Sequence, residues 1–252
     1  MSKYIYGTNI YTPTLQDIRE AIKDICNRLG ADFANMNVTR LDIASVIKTD
    51  HKPHLYYQSL GNKPYCERFS SGSLYYKTKS KEFVFYDKVA EMEKHKDLIP
   101  SEFADSNIMR VELRLKNKPA RQLNLPQRIL TCKDLCTEKV YNKAIQVWKS
   151  EFDAITKLNR ATMTQQETRH TVTSVRDLFL ARAVQANNSQ DDIKQFIDEL
   201  KEKNIFPDRK YYTRLKHDLY EYFKIPTGNG SGYIEELESK INDVVNNARL
   251  SI

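Results

Sequence analysis

Long apolar runs are missing from this chain. None approaches the roughly 18 residues a membrane-spanning helix needs, and the mean hydropathy is -0.64. The opening Met1–Gly7 holds no apolar core of the kind a secretion signal carries, so none is expected. Cysteine is scarce. Cys26, Cys66, Cys132 and Cys136 contain no CxxC spacing. Cys132 and Cys136, four apart on one face of a predicted helix, lack the second pair that a zinc site requires. Free, buried thiols in a reducing, cytoplasmic setting are expected. Seven glycines and eight prolines exclude a collagen-like or low-complexity chain. Hydrolase and dinucleotide signatures are absent too: there is no Ser-His-Asp order, nucleophile elbow or Rossmann fingerprint. His51 and His54 flank a turn around Pro53 and do not form a strand-borne His-apolar-His pair; His95, His170 and His217 stand alone.

What is present is a globular composition: 252 residues, 40% hydrophobic and 29% charged, enough to bury a core. Forty Lys and Arg against 33 Asp and Glu give a net charge of +7. The surplus is local. Between Arg110 and Lys149 ten basic residues face only Glu112, Asp134 and Glu138, a surplus equal to that of the whole chain. A basic stretch on an otherwise neutral protein suits a polyanion, because neutralised phosphates release counterions. A solvated helix face is the alternative.

The chain reads as a β-α-β start, then an antiparallel meander, then helices. Lys3–Tyr11 alternates and predicts a strand. Thr14 with Asp17 predicts a helix start, Leu15, Ile18, Ile22, Ile25 and Leu29 its apolar stripe, and Gly30 its end. Residues 37–48 predict a long strand and 53–60 a short helix. Pro64–Phe69, Ser73–Lys77 and Glu82–Tyr86 predict three strands parted by polar turns. Asp87 caps a predicted helix to Lys96, and Ile108–Lys116 alternates as a further strand. From Thr131 onward the period is helical, with segments expected at 164–186, 190–203, 208–223 and 233–249. Gly228–Gly232 reads as a flexible link, not a phosphate loop. The expected class is α+β: an antiparallel-rich sheet with helices, followed by an all-helical part. The expected division is 1–125 and 126–252.

Strand alternation sorts the candidate residues. Arg40, Asp42, Ala44 and Val46 share one face; Arg110, Glu112, Arg114 and Lys116 share one face of another strand. If the strands are neighbours, Asp42 and Glu112 can converge on a divalent cation, since Mg²⁺ or Mn²⁺ often takes only one or two protein carboxylates. An Arg–carboxylate ladder on the sheet is the competing reading. Phe83 and Phe85 point to one side of their strand and Tyr86 to the other, at the strand's end. A phenol there can be firmly held and open to a ligand. Free tyrosine ionises near pH 10, so as a nucleophile it needs help, and Lys88 is placed to favour the phenolate.

Three segments then occur in order: Val38-Thr39-Arg40-Leu41-Asp42-Ile43-Ala44, Phe85-Tyr86-Asp87-Lys88 with Glu91, and Arg110-Val111-Glu112-Leu113-Arg114-Leu115-Lys116. Over roughly residues 3–160 the chain resembles rolling-circle replication initiators, both the Rep_trans plasmid group and the gene II/X proteins of filamentous phages. The resemblance implies a site-specific DNA endonuclease and ligase that nicks one strand at an origin and stays linked to the 5′ phosphate through a tyrosine. By position, Tyr86 would be the nucleophile, with Lys88 beside it. Asp42 and Glu112 would hold Mg²⁺ or Mn²⁺, and Arg40, Arg110, Arg114 and Lys116 would contact DNA. Tyr56, Tyr57, Tyr75 and Tyr76 are rival nucleophiles. Residues 1–125 would form the nicking domain and 126–252 a DNA-binding or assembly region. Origin DNA, single-stranded or cruciform, is the implied partner; a homodimer and a host helicase or polymerase are compatible with it. Two other readings compete: a sequence-specific DNA-binding protein without chemistry, and an RNA binder that stacks bases on its aromatic sheet.

Overall fold

The computed structural model describes residues 1–30, 32–158, 172–187, 190–224 and 232–250. Local chemistry starts the first long helix. Thr14 accepts from the Asp17 amide at 3.1 Å and Asp17 accepts from the Thr14 amide at 2.8 Å, a reciprocal cap. α2 (Leu15–Leu29) follows, and Gly30 ends it in the left-handed conformation at φ 59°. The segment before it differs from expectation. Lys3–Tyr11 forms no strand; Ser2–Tyr6 is a short helix, α1, ended by Gly7 at φ 72°. Its tyrosines account for the difference: the Tyr4 and Tyr6 hydroxyls donate to Asp24 and Asp17 of α2, so the segment is fastened to a helix and not to a sheet edge.

The strands are β1 (Leu41–Thr49), β2 (Glu67–Ser70), β3 (Leu74–Lys77), β4 (Lys81–Asp87) and β5 (Asn107–Leu115). They form one antiparallel sheet in the order β1-β5-β4-β3-β2. The short helix α3 (His54–Tyr57) precedes the meander, and α4 (Lys88–His95) leaves β4 under an Asp87 cap on the Ala90 amide at 3.0 Å. After β5 come α5 (Pro119–Gln122), α6 (Cys132–Leu135) and α7 (Glu138–Asp153). The fold class is α+β, with helices α8 (Val172–Asn187), α9 (Gln190–Glu202), α10 (Arg209–Lys224) and α11 (Gly232–Leu250) completing the chain. The part of the helix expected at 164–186 that precedes residue 172, and the glycine link at 228–231, lie outside the described residues.

Register puts Leu74, Tyr76, Phe83, Phe85, Val111 and Leu113 on one side of the sheet. That side packs against Val147, Trp148 and Phe152 of α7 and Leu237 and Ile241 of α11 in one core. The Trp148 indole donates to the Val111 carbonyl at 3.3 Å, so the single tryptophan buries its ring without orphaning its N–H. Complete burial of these large side chains removes about 1.5–3 kcal/mol each from water and is the main force holding helices to sheet.

Two compact units result. The first takes Met1–Lys157 together with Tyr233–Ile252; the second is Leu158–Gly232. In the first, α11 is tied down by polar contacts as well as apolar ones. Glu236 accepts from the Tyr56 hydroxyl at 2.5 Å, and Lys240 bridges Asp50 and Glu236 at 2.7 and 2.6 Å. The second unit closes on its own small core of Ile193, Ile197 and Tyr212, whose hydroxyl accepts from the Phe206 amide at 2.8 Å. All four cysteines are free and half-buried.

Candidate active site

The other side of the sheet is charged. β1 and β5 are neighbours, with Asp42 opposite Arg114 and Ala44 opposite Glu112. β4 lies on the far side of β5, with Tyr86 opposite Arg110. Since side chains alternate, Asp42, Glu112, Arg110, Arg114 and Tyr86 all share this face. They line one cleft of about 590 Å³, together with Glu91 of α4 and the amino-terminal Met1–Lys3.

Glu112 is the hub. Its buried carboxylate accepts from Arg114 at 2.7 Å, from Arg110 at 3.1 Å and from the Tyr86 hydroxyl at 3.1 Å. Burial pushes this carboxyl up, but the two guanidinium groups outweigh it and hold it below the ordinary range, so it is ionised. Arg110 is itself fixed from above, donating to the Asn9 carbonyl. Arg114 also meets Glu82 at 3.5 Å. Asp42 is held by Arg40 at 2.8 Å.

Tyr86 is half-buried. Burial raises its phenol well above the ordinary tyrosine value, Glu112 and Glu91 raise it further, and Arg110 pulls the other way. The resting hydroxyl is therefore protonated, and ionising it needs an acceptor; Glu112 is in contact. Lys88 follows two residues later, as the first residue of α4. It is fully buried and its ammonium ion pairs with Glu91. Lys116, the residue after β5, pairs with Glu82 at 2.5 Å. Arg40 and Lys116 are outside the cleft's lining, whereas Arg110 and Arg114 are within it. Glu91 and the Asn9 carbonyl are contributors that strand alternation did not single out. The signal for Glu91 was its three-residue spacing from Lys88 on one helix.

The rival tyrosines differ in access. Tyr56, Tyr57 and Tyr76 are buried, Tyr56 bonded to Glu236 and Tyr76 to the Gly61 carbonyl at 2.7 Å. Tyr75 faces the same side as Tyr86 but stacks on Phe69, ring centroids 4.6 Å apart.

The carboxylates of the cleft supply oxygen donors of the type that Mg²⁺ and Mn²⁺ take. Asp42 and Glu112 sit on neighbouring strands, and the donor chemistry fits such an ion. Both now face guanidinium groups, and among the described residues no three His, Cys, Asp or Glu side chains converge as a metal-holding group. No described helix is long and apolar enough to cross a membrane.

Residues 1–143, which contain every element of this cleft's polar wall, match the family model Phage_CRI, described as the N-terminal part of a replication-associated protein. Comparison with curated proteins and with solved structures gives no match.

Proposed function

The chain belongs to the Phage_CRI family of replication-associated proteins, of the rolling-circle type, and from that premise we propose that it nicks and rejoins one DNA strand through a tyrosyl-phosphate at Tyr86. One observation carries this reading: the Tyr86 hydroxyl and the Glu112 carboxylate meet at 3.1 Å in a cleft that also holds Asp42. In the forward step the Tyr86 oxygen forms a bond to phosphorus and the bond to the 3′ oxygen breaks. The phenol's proton passes to Glu112, and the departing 3′ oxygen takes a proton from solvent. The bond energy is kept in the phosphotyrosine, so the reverse attack by a 3′ hydroxyl rejoins the strand without ATP.

Arg110 and Arg114 stand where negative charge grows on the phosphoryl oxygens, which is where a phosphoryl transfer gains most. Asp42 and Glu112 would hold the Mg²⁺ or Mn²⁺ ion, which would polarise the phosphate under attack. Arg40 and Lys116 would contact the strand beyond the cleft, and Lys88 would act by holding Glu91 in place. The second unit would bind DNA or a further copy of the chain.

The test is an adduct assay. The full chain is incubated with a labelled single-stranded oligonucleotide library and Mn²⁺, then resolved under denaturing conditions. A covalent protein–DNA species is expected from the native sequence and none from Tyr86→Phe, with the fold intact. An adduct surviving Tyr86→Phe would move the nucleophile elsewhere, with Tyr75 next on that face. DNA binding with no adduct from the native chain would leave a binder without chemistry, a reading the family match does not favour.

A further inference from the structure

A second concavity, of about 740 Å³, lies where β4 begins. Lys81 and Tyr86 are five residues apart on β4 and face opposite sides of the sheet, so the strand alone separates them by about 17 Å. The walls are the 63–66 loop, the Thr78–Lys81 turn, residues 117–124 and the Glu151 side of α7.

Its charge is lopsided. Glu151 is the one carboxylate among its lining residues, and it is already shared by Lys63 at 2.8 Å and Lys81 at 2.5 Å. That pairing leaves one positive charge over. Lys118 and Arg121, on the same rim, form no ion pair among the described residues. The groove therefore offers exposed, uncompensated cations, which a phosphate backbone can engage. The groove also offers a ring. Tyr65 is fully exposed, and its backbone holds φ 60°, a region disfavoured for residues other than glycine, asparagine and aspartate. Lys118 on the same groove shares that strain at φ 47°, and Asn124, of a type that tolerates it, adopts the same region at φ 52°. Non-glycine residues held this way gather at ligand clamps, where the surrounding structure enforces them. The carboxamide oxygen of Gln122 is buried in the groove without a partner, an acceptor suited to a nucleobase N–H.

We propose that this groove holds a length of single-stranded DNA, with phosphates on Lys118 and Arg121 and one base stacked on Tyr65. A free aromatic face takes a base only when that base is unpaired, which selects a single strand over a duplex. The inference rests on the proposed function for the identity of its ligand, and not on the chemistry at Tyr86.

The test uses the full chain carrying Tyr86→Phe, so that cleavage cannot consume the probe. Binding of fluorescein-labelled oligothymidine, and of a duplex, is followed by anisotropy across a salt series. The variants are Lys118→Asn with Arg121→Gln, and Tyr65→Asn, because asparagine tolerates the left-handed backbone; their melting temperatures should match the parent's. Losing two phosphate contacts should lower the slope of log affinity against log salt by about 1.4 for the single strand. Tyr65→Asn should weaken oligothymidine binding about tenfold and leave the slope unchanged. Unchanged slope and affinity in both variants would overturn the proposal, as would losses confined to the duplex. The two readings fail separately. An adduct at Tyr86 with groove variants that bind normally removes the groove alone; altered binding with no adduct from the native chain removes only the nickase.

Discussion

Glu112→Gln removes one charge from the centre of the polar sheet face and almost no volume. The Glu112 side chain is 9% exposed, Arg110 12% and Arg114 26%, so little water is at hand to replace the lost carboxylate. Breaking a buried pair by deleting one partner costs about 3–5 kcal/mol. Here the lower end applies, because Arg110 keeps the Asn9 carbonyl and Arg114 keeps Glu82. At about 2–4 °C per kcal/mol for a unit of this size, the melting temperature at pH 7 should fall by roughly 6–12 °C. The sign with pH follows from the carboxyl being held below its ordinary range. Its stabilisation is complete above the unfolded value of 4.5 and disappears as pH falls through the lower folded value. The gap between native and variant should therefore close in acid. Adduct yield at neutral pH should fall by about 100-fold or more, since Tyr86 loses its proton acceptor. Calorimetry of both proteins from pH 7 to pH 3 measures the first two effects. A loss under about 2 °C at pH 7, or a gap that does not change with pH, would refute the assignment of Glu112 as the electrostatic hub.

Lys88→Met combined with Glu91→Leu should leave the melting temperature within about 2 °C of native or raise it, because an ion pair replaced at both ends by apolar side chains of similar size is often neutral or stabilising; a large loss would mean that Lys88 holds more than Glu91. Phe152→Ala, at the contact between α7 and the sheet, should cost about 3–5 kcal/mol in urea unfolding, and a cost below 1 kcal/mol would contradict the packing described. Burial pushes Glu151 and Glu82 up, but Lys63 and Lys81 for the first, and Lys116 and Arg114 for the second, hold both below the ordinary range. Their contribution is present above pH 4.5 and fades below it, so the urea midpoint should drop between pH 5 and pH 3; a constant midpoint would count against these pairs.

Much of the sheet was legible because alternation has a period of two and three strands carried long enough runs to display it. The same pattern set Asp42 and Glu112 on the charged faces of their own strands and Tyr86 opposite Phe83 and Phe85, and the register of β1, β5 and β4 brings those three faces together. It foretold the Arg–carboxylate pairs equally well, and these occur along both strands. The two ideas were never exclusive: the arginines that brace Glu112 line the cleft with it. Ser2–Tyr6 misled because the five residues Ser-Lys-Tyr-Ile-Tyr fit either period, and the choice was made by Asp17 and Asp24 one helix away. Nor did local pattern reveal that α11 completes the core under the sheet. That contact joins residues almost two hundred apart, as Tyr56 with Glu236 illustrates, and no local periodicity carries such information.

The chain leaves the first unit at Lys157, which bridges to Leu60, and re-enters at Tyr233, whose ring lies 5.0 Å from that of Tyr56. Exit and return thus sit beside the same short helix, so the first unit is built from two separated stretches of chain that meet at one doorway. The inserted stretch has its own core of Ile193, Ile197 and Tyr212, and none of these belongs to the core under the sheet. Cutting the polypeptide after the doorway would strip Leu237, Ile241 and Val245 from the hydrophobic floor, so the body beneath the cleft is complete only when α11 is in place.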